Sequence, residues 1–209
     1  MYAGKTRIEV EHGSLEAIYR PSRSDAHRVA LVLHPHPVYG GTMHNPVVFH
    51  CAKALEDVGF ETLRFNFRGV GESTGSWDEG RGELLDASCA LDFLLEAQPQ
   101  AREVVVAGFS FGAAIGLQLG GADPRIEKIV AIAAPLRLLP GDALDRCSTP
   151  RLFVHGSNDQ MAPLEPLQQW IAEVEDESVA LRVIDGASHF FESGREEMAA
   201  AIRNWLGES

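Results

Sequence analysis

The sequence predicts an α/β fold: a doubly wound, mostly parallel sheet with helices on both faces, in one domain over residues 1–209. Three observations carry this. Short apolar runs rich in β-branched residues alternate with longer amphipathic stretches. Several runs are apolar on both faces, as strands buried between two helix layers must be. No repeat, low-complexity tract or linker interrupts the alternation. The strand-like runs lie at 15–20, 29–34, 61–67, 103–109, 129–134, 151–156 and 179–184, mostly bounded by Gly, Pro or Asp. Helical stretches at 45–58, 81–97, 111–121, 164–175 and 195–206 read as crossovers. In the last, Met198, Ile202, Trp205 and Leu206 recur at helical spacing, a stripe that belongs against the sheet.

Composition narrows the function. With 45% apolar and 23% charged residues the chain is an ordinary globular one. At this length folding removes about 70% of the unfolded surface from water, so the core needs neither disulfides nor a structural metal. Thirty acidic residues against 18 basic ones give a net charge of −12, which opposes phosphate backbones and anionic lipid. Neither nucleic acid nor a membrane is an expected partner. Cys51, Cys89 and Cys147 are odd in number and form no CxxC pair, so they read as reduced thiols. The start carries no signal pattern, and no apolar run approaches the roughly 20 residues of a membrane helix. The expected location is the cytoplasm, as a monomer or a homodimer.

Chemistry concentrates at Gly108-Phe109-Ser110-Phe111-Gly112, a GxSxG pentapeptide placed directly after a strand-like run and before a small-residue helix. A serine on so sharp a turn is strained, and its neighbours two positions away must lack bulk. The turn puts the Ser110 hydroxyl at the positive end of the following helix and aims the Phe111 N–H at a reacting carbonyl. A serine needs a base, and the base needs a partner that fixes its tautomer. His189 follows the last strand-like run, at the carboxyl edge where parallel α/β folds gather their sites. Asp159 follows the penultimate run on the same edge. The order Ser110, Asp159, His189 is then nucleophile, acid, base. Asp142, Asp145 and Asp185 are rival acids, and His155, ending a strand, reads as packing or loop bracing.

With these residues the sequence resembles the α/β-hydrolase family over nearly its whole length. The segment Asn66-Phe67-Arg68-Gly69-Val70-Gly71-Glu72-Ser73 resembles the family's D-x-R-G-x-G-x-S, with Asn66 where Asp is usual. Gly69, Gly71 and Gly75 open into Ser76-Trp77-Asp78-Glu79 rather than a helix, which argues against a dinucleotide loop. The loop His34-Pro35-His36-Pro37-Val38-Tyr39-Gly40-Gly41-Thr42-Met43-His44-Asn45 resembles the HPHP-x-x-GG-x-M-x-N loop of small, capless bacterial serine hydrolases. The resemblance implies a second oxyanion donor from this loop two residues after its first His. Prolines have no N–H, so the His36 amide is implied, with Val38 or Tyr39 as alternatives. Only residues 135–149 separate two strand-like runs, too few for an inserted cap.

His34, His36 and His44 raise a metal reading, but no carboxylate or cysteine follows at close spacing, so hydrogen bonding or substrate contact is expected and no metal or other cofactor. The expected enzyme is a carboxylesterase-like serine hydrolase of small or medium esters, with Ser110, Asp159 and His189 catalytic and Phe111 and His36 forming the oxyanion hole. Tyr39, Trp77, Phe190 and Phe191, beside Phe111, would rim an open cleft and bind substrate. The same triad could serve thioesters, amides or lactones. A non-catalytic binding protein on this fold would fail to turn over any ester. A perhydrolase would form peracid from hydrogen peroxide, and a carbon–carbon bond hydrolase would cleave diketones.

Overall fold

The computed structural model describes residues 4–22, 27–174 and 176–207. Among these residues eight strands form one sheet in the order β1-β2-β4-β3-β5-β6-β7-β8: β1 Gly4–Val10, β2 Gly13–Arg20, β3 Arg28–Leu33, β4 Glu61–Phe65, β5 Glu103–Phe109, β6 Lys128–Ile132, β7 Arg151–Gly156 and β8 Val179–Ile184. β1 pairs with β2, and β2 with β4, antiparallel; every other pair is parallel.

Among the described residues five α-helices cover the sheet: α1 Pro46–Asp57, α2 Arg81–Ala97, α3 Phe111–Ala122, α4 Leu164–Val174 and α5 Arg195–Gly207. Glu175, the last position of the expected fourth helix, lies outside the described residues. The fifth helix follows the final strand, so it is not a crossover. Alternate residues of the central strands feed two cores. Leu31, Leu33, Val104 and Val106 meet α2, α3 and α4 on one face. Ala30, Val32, Val105, Ala107 and Phe109 meet α1 and α5 on the other, with Met198, Ile202 and Leu206 pointing inward as expected. At about 25 cal/mol per Å² of apolar surface removed from water, these two layers are the main drive to fold.

Caps place the helices. Asn45 Oδ1 accepts from the Val47 N–H at 2.9 Å, and Pro46 starts α1 where its missing donor costs nothing. Glu83 lies wholly buried and accepts from the N–H groups of Gly80 at 2.8 Å and Asp78 at 3.0 Å, which fixes the loop carrying Trp77. Between β6 and β7 the only regular element is a 3₁₀ turn at Leu136–Leu138, so no cap is inserted there. Among the described residues no helix is long and apolar enough to cross a membrane.

Candidate active site

Between the end of β5 and the start of α3 one residue, Ser110, makes the whole turn, with φ 54° and ψ −117°. A side chain rarely tolerates that geometry. The flanking glycines explain how it closes. A Cβ on Gly108 would sit 2.3 Å from the Gly112 carbonyl oxygen, and one on Gly112 would sit 2.5 Å from the Leu33 and 2.6 Å from the His34 carbonyl oxygens. The second contact also shows how closely the loop after β3 rides on the head of α3. The Ser110 N–H donates to the Ile132 carbonyl at 2.8 Å, tying the turn to β6.

His189, from the loop after β8, places Nε2 3.0 Å from Ser110 Oγ and Nδ1 2.7 Å from Asp159 Oδ2. Asp159, from the loop after β7, is buried, and its Oδ1 accepts from the N–H groups of Met161 at 2.9 Å and Ala162 at 2.8 Å. Burial pushes this carboxyl up, but the bonds from His189 and the Ala162 N–H outweigh it and hold the group below the ordinary aspartate value. An ionised carboxylate only accepts, so the His189 proton sits on Nδ1 and the Nε2 lone pair faces the Ser110 hydroxyl.

The rival acids lie elsewhere. Asp142 pairs with Arg146 at 2.5 Å, Asp145 accepts from Trp170 Nε1 at 3.0 Å, and Asp185 accepts from the Ser157 hydroxyl at 3.2 Å. His155 is fully buried and donates from Nε2 to the Ala162 carbonyl at 2.6 Å, bracing the Asp159 loop. Burial pulls its pKa down, so it is a neutral strut. Arg137 donates to the Met161 carbonyl at 2.7 Å and ties the β6–β7 connection onto the same loop.

The loop after β3 is equally constrained. His34 is buried, with Nδ1 donating to the Pro35 carbonyl at 2.6 Å and Nε2 accepting from the Phe67 N–H at 3.0 Å. Burial lowers its pKa to about 4, so the ring is neutral and both nitrogens are engaged by backbone. The fallback oxyanion donors are occupied: the Val38 N–H donates to His36 Nδ1 at 3.3 Å and the Tyr39 N–H to the His36 carbonyl at 3.1 Å. Among the described residues no hydrogen bond uses the His36 or Phe111 N–H. Gly41 is required, since a Cβ there would lie 2.0 Å from the Pro35 carbonyl oxygen. Asn66 Oδ1 accepts from the Met43 N–H at 2.8 Å while Nδ2 donates to Glu16 Oε2 at 2.8 Å. A carboxylate could not do both, which accounts for the departure at this position. His44 is exposed, and among the described residues no group of three or more His, Cys, Asp or Glu is placed to hold a metal.

The predicted rim needs one correction. The rings of Tyr39 and Trp77 lie 4.6 Å and 4.5 Å from that of His36, and Phe190 lies 5.2 Å from His189 and is 46% exposed. Phe191 is fully buried and packs with α5 and α1, so it cannot line a cleft. A turn with φ 49° at Phe191 sends the two adjacent rings to opposite sides. A cavity of about 360 Å³ lies beside the elbow, where Phe111, the residue after the serine, lines it together with His36 and Trp77. Leu84 on α2, Ile115 on α3 and Leu138 after β6 also line it, and no motif in the sequence marks them.

A carboxylate, an imidazole and a serine hydroxyl aligned at the carboxyl edge of a parallel sheet, the serine on a strand-to-helix elbow, are the arrangement of an α/β hydrolase. The chain belongs to that family: the model of the alpha/beta hydrolase fold matches residues 36–148. An uncharacterized protein of Rickettsia prowazekii is 37% identical over 201 residues, covering 93% of this chain and 84% of that one. A protein of unknown function from Agrobacterium tumefaciens is 35% identical with a TM-score of 0.90, over 97% of this chain and 94% of that one. An α/β serine hydrolase without lid from Xanthomonas campestris is 27% identical with a TM-score of 0.91, over 100% and 95%.

Proposed function

We propose that this chain hydrolyses small or medium carboxylic esters through an acyl-enzyme on Ser110. The observation that carries the reading is the single imidazole joining Asp159 Oδ2 at 2.7 Å to Ser110 Oγ at 3.0 Å. His189 Nε2 takes the Ser110 proton as Oγ attacks the ester carbonyl, and Asp159 stabilises the imidazolium. The Phe111 and His36 N–H groups, which make no hydrogen bond among the described residues, receive the oxyanion. His36 is held by a loop stiffened by Pro35 and Pro37, so little reorganisation is needed when charge develops. His189 then protonates the departing alcohol, and the same base activates the water that releases the acid. Losing the hydroxyl should remove nearly all turnover, because triad members act as a unit.

The mostly apolar cavity beside the elbow favours an acyl or alcohol group of modest size, near the small end of the about 300–1,000 Å³ common for ligand sites. The test is hydrolysis of a p-nitrophenyl ester series from acetate to dodecanoate by the native chain and Ser110→Ala. The expected result is a maximum at short or medium chains that Ser110→Ala abolishes. Ester turnover that survives in Ser110→Ala would refute the reading.

A further inference from the structure

A second cavity, of about 340 Å³, lies where α1 crosses the antiparallel end of the sheet, and it shares no lining residue with the one beside Ser110. Its walls are Arg20, Phe49, Ala52, Lys53, Glu56 and Arg64. Three cations against one carboxylate make its local charge positive in a chain whose net charge is −12.

Arg64 is the unusual member. It is 5% exposed, yet of its five N–H groups Nη1 donates to the Met43 carbonyl at 3.1 Å, and the buried Nε has no partner among the described residues. Its guanidinium lies 5.5 Å from the centre of the Phe49 ring. The carboxylate in the cavity lining, Glu56, is engaged by the Thr62 hydroxyl at 3.0 Å. Burial lowers the pKa of Arg64, Glu56 works against this, and Arg20 lowers it further, so two like charges face one cavity. Arg20 is exposed, and among the described residues its side chain makes no hydrogen bond or ion pair. Lys53 already pairs with Asp57 at 2.5 Å. A buried cation normally has a charged partner, because desolvating it alone is costly. Bracing Met43 needs one N–H; it gives no reason to keep a second guanidinium nearby.

We propose that this cavity binds the oxyanionic head of a small ligand, a phosphate or carboxylate group, between Arg20 and Arg64, with Phe49 against its nonpolar part. The planar fork of arginine suits either group. The cavity exceeds the size of a bare ion, which points to a metabolite carrying such a group.

The test is calorimetric titration at constant ionic strength, with inorganic phosphate in one arm and succinate in the other. The native chain, Arg20→Gln, Arg64→Met and Ser110→Ala are compared. We expect saturable one-to-one binding of at least one probe, with phosphate or succinate dominance naming the head group. Binding should weaken at least about tenfold in Arg20→Gln, as expected when one partner of a charge-assisted clamp is lost, and vanish in Arg64→Met. Ser110→Ala should bind as the native chain does, which separates this site from the catalytic reading. Arg20 is exposed, so its variant decides the matter even where Arg64→Met does not fold. No saturable binding of either probe, or binding that Arg20→Gln leaves unchanged, overturns the proposal.

Discussion

Replacing Asp159 by Asn tests how the acid acts, because the structure dictates which way the new amide must point. Asp159 Oδ1 accepts from the Met161 and Ala162 N–H groups at 2.9 and 2.8 Å. Only the oxygen of an asparagine can keep those bonds, so its NH₂ group must occupy the place of Oδ2, 2.7 Å from His189 Nδ1. A donor there forces the opposite tautomer: Nδ1 accepts, Nε2 carries the proton, and no lone pair remains to face Ser110. The fold keeps its loop bonds while the base is disarmed. The expected loss in kcat is about 10⁴-fold, from the corresponding change in a serine protease triad, or about 5.4 kcal/mol of barrier. The assay is kcat on p-nitrophenyl butyrate with near-native thermal unfolding as the control for folding. Asp142→Asn, Asp145→Asn and Asp185→Asn should each stay within about twofold of the native rate, as surface changes usually do. An Asp159→Asn chain that is folded and keeps more than about a tenth of the native kcat would refute this reasoning.

Two further predictions follow from the backbone and from buried histidine. Gly112→Ala pushes a methyl into the Leu33 and His34 carbonyl oxygens. It should cost about 2 kcal/mol and lower Tm by about 4–8 °C, read by calorimetry, with ester turnover falling as the elbow shifts; an unchanged Tm would contradict the close packing. His34 has a folded pKa of about 4 against an ordinary 6.5. Between those values the unfolded chain takes up a proton that the folded chain refuses, so stability falls as pH falls, by about 3 kcal/mol once pH 4 is reached. Asp159, held low, adds in the same direction at the acid end. Urea unfolding at pH 7 and pH 4.5 should show the loss, and equal midpoints would contradict it.

Most of the fold was legible because the central strands are buried on both faces and announce themselves as apolar runs. The strand β1 was not. Gly4–Val10 is an edge strand with one face in water; Ile8 is its one fully buried residue, and the polar positions around it carry no run. The apolar run at 61–67 outlasts the strand, which ends at Phe65, because Asn66 and Phe67 are buried for loop bracing rather than strand pairing. The elbow was legible because its requirement is local: two glycines and a serine in one turn. Asp159 was legible only by its place after a strand. What distinguishes it from Asp142, Asp145 and Asp185 is a pair of backbone N–H groups that folding aims at it. The sequence could not reveal that Phe191 turns inward while Phe190 stays out, since one positive φ decides it. Nor could it reveal that Leu84, Ile115 and Leu138 line the cavity. The helix α3 is buried almost all round, so its residues carry no stripe to mark the face left open.

On the proposed mechanism Ser110 is a nucleophile armed by His189. Intact-mass spectrometry after treatment with a fluorophosphonate, on the native chain, Ser110→Ala and His189→Gln, tests it most directly. Expected are one adduct per native chain, mapped to the peptide carrying Ser110, none on Ser110→Ala, and labelling of His189→Gln slowed at least about a hundredfold by loss of the general base. A native chain that takes no adduct, or one whose adduct persists in Ser110→Ala, would contradict it.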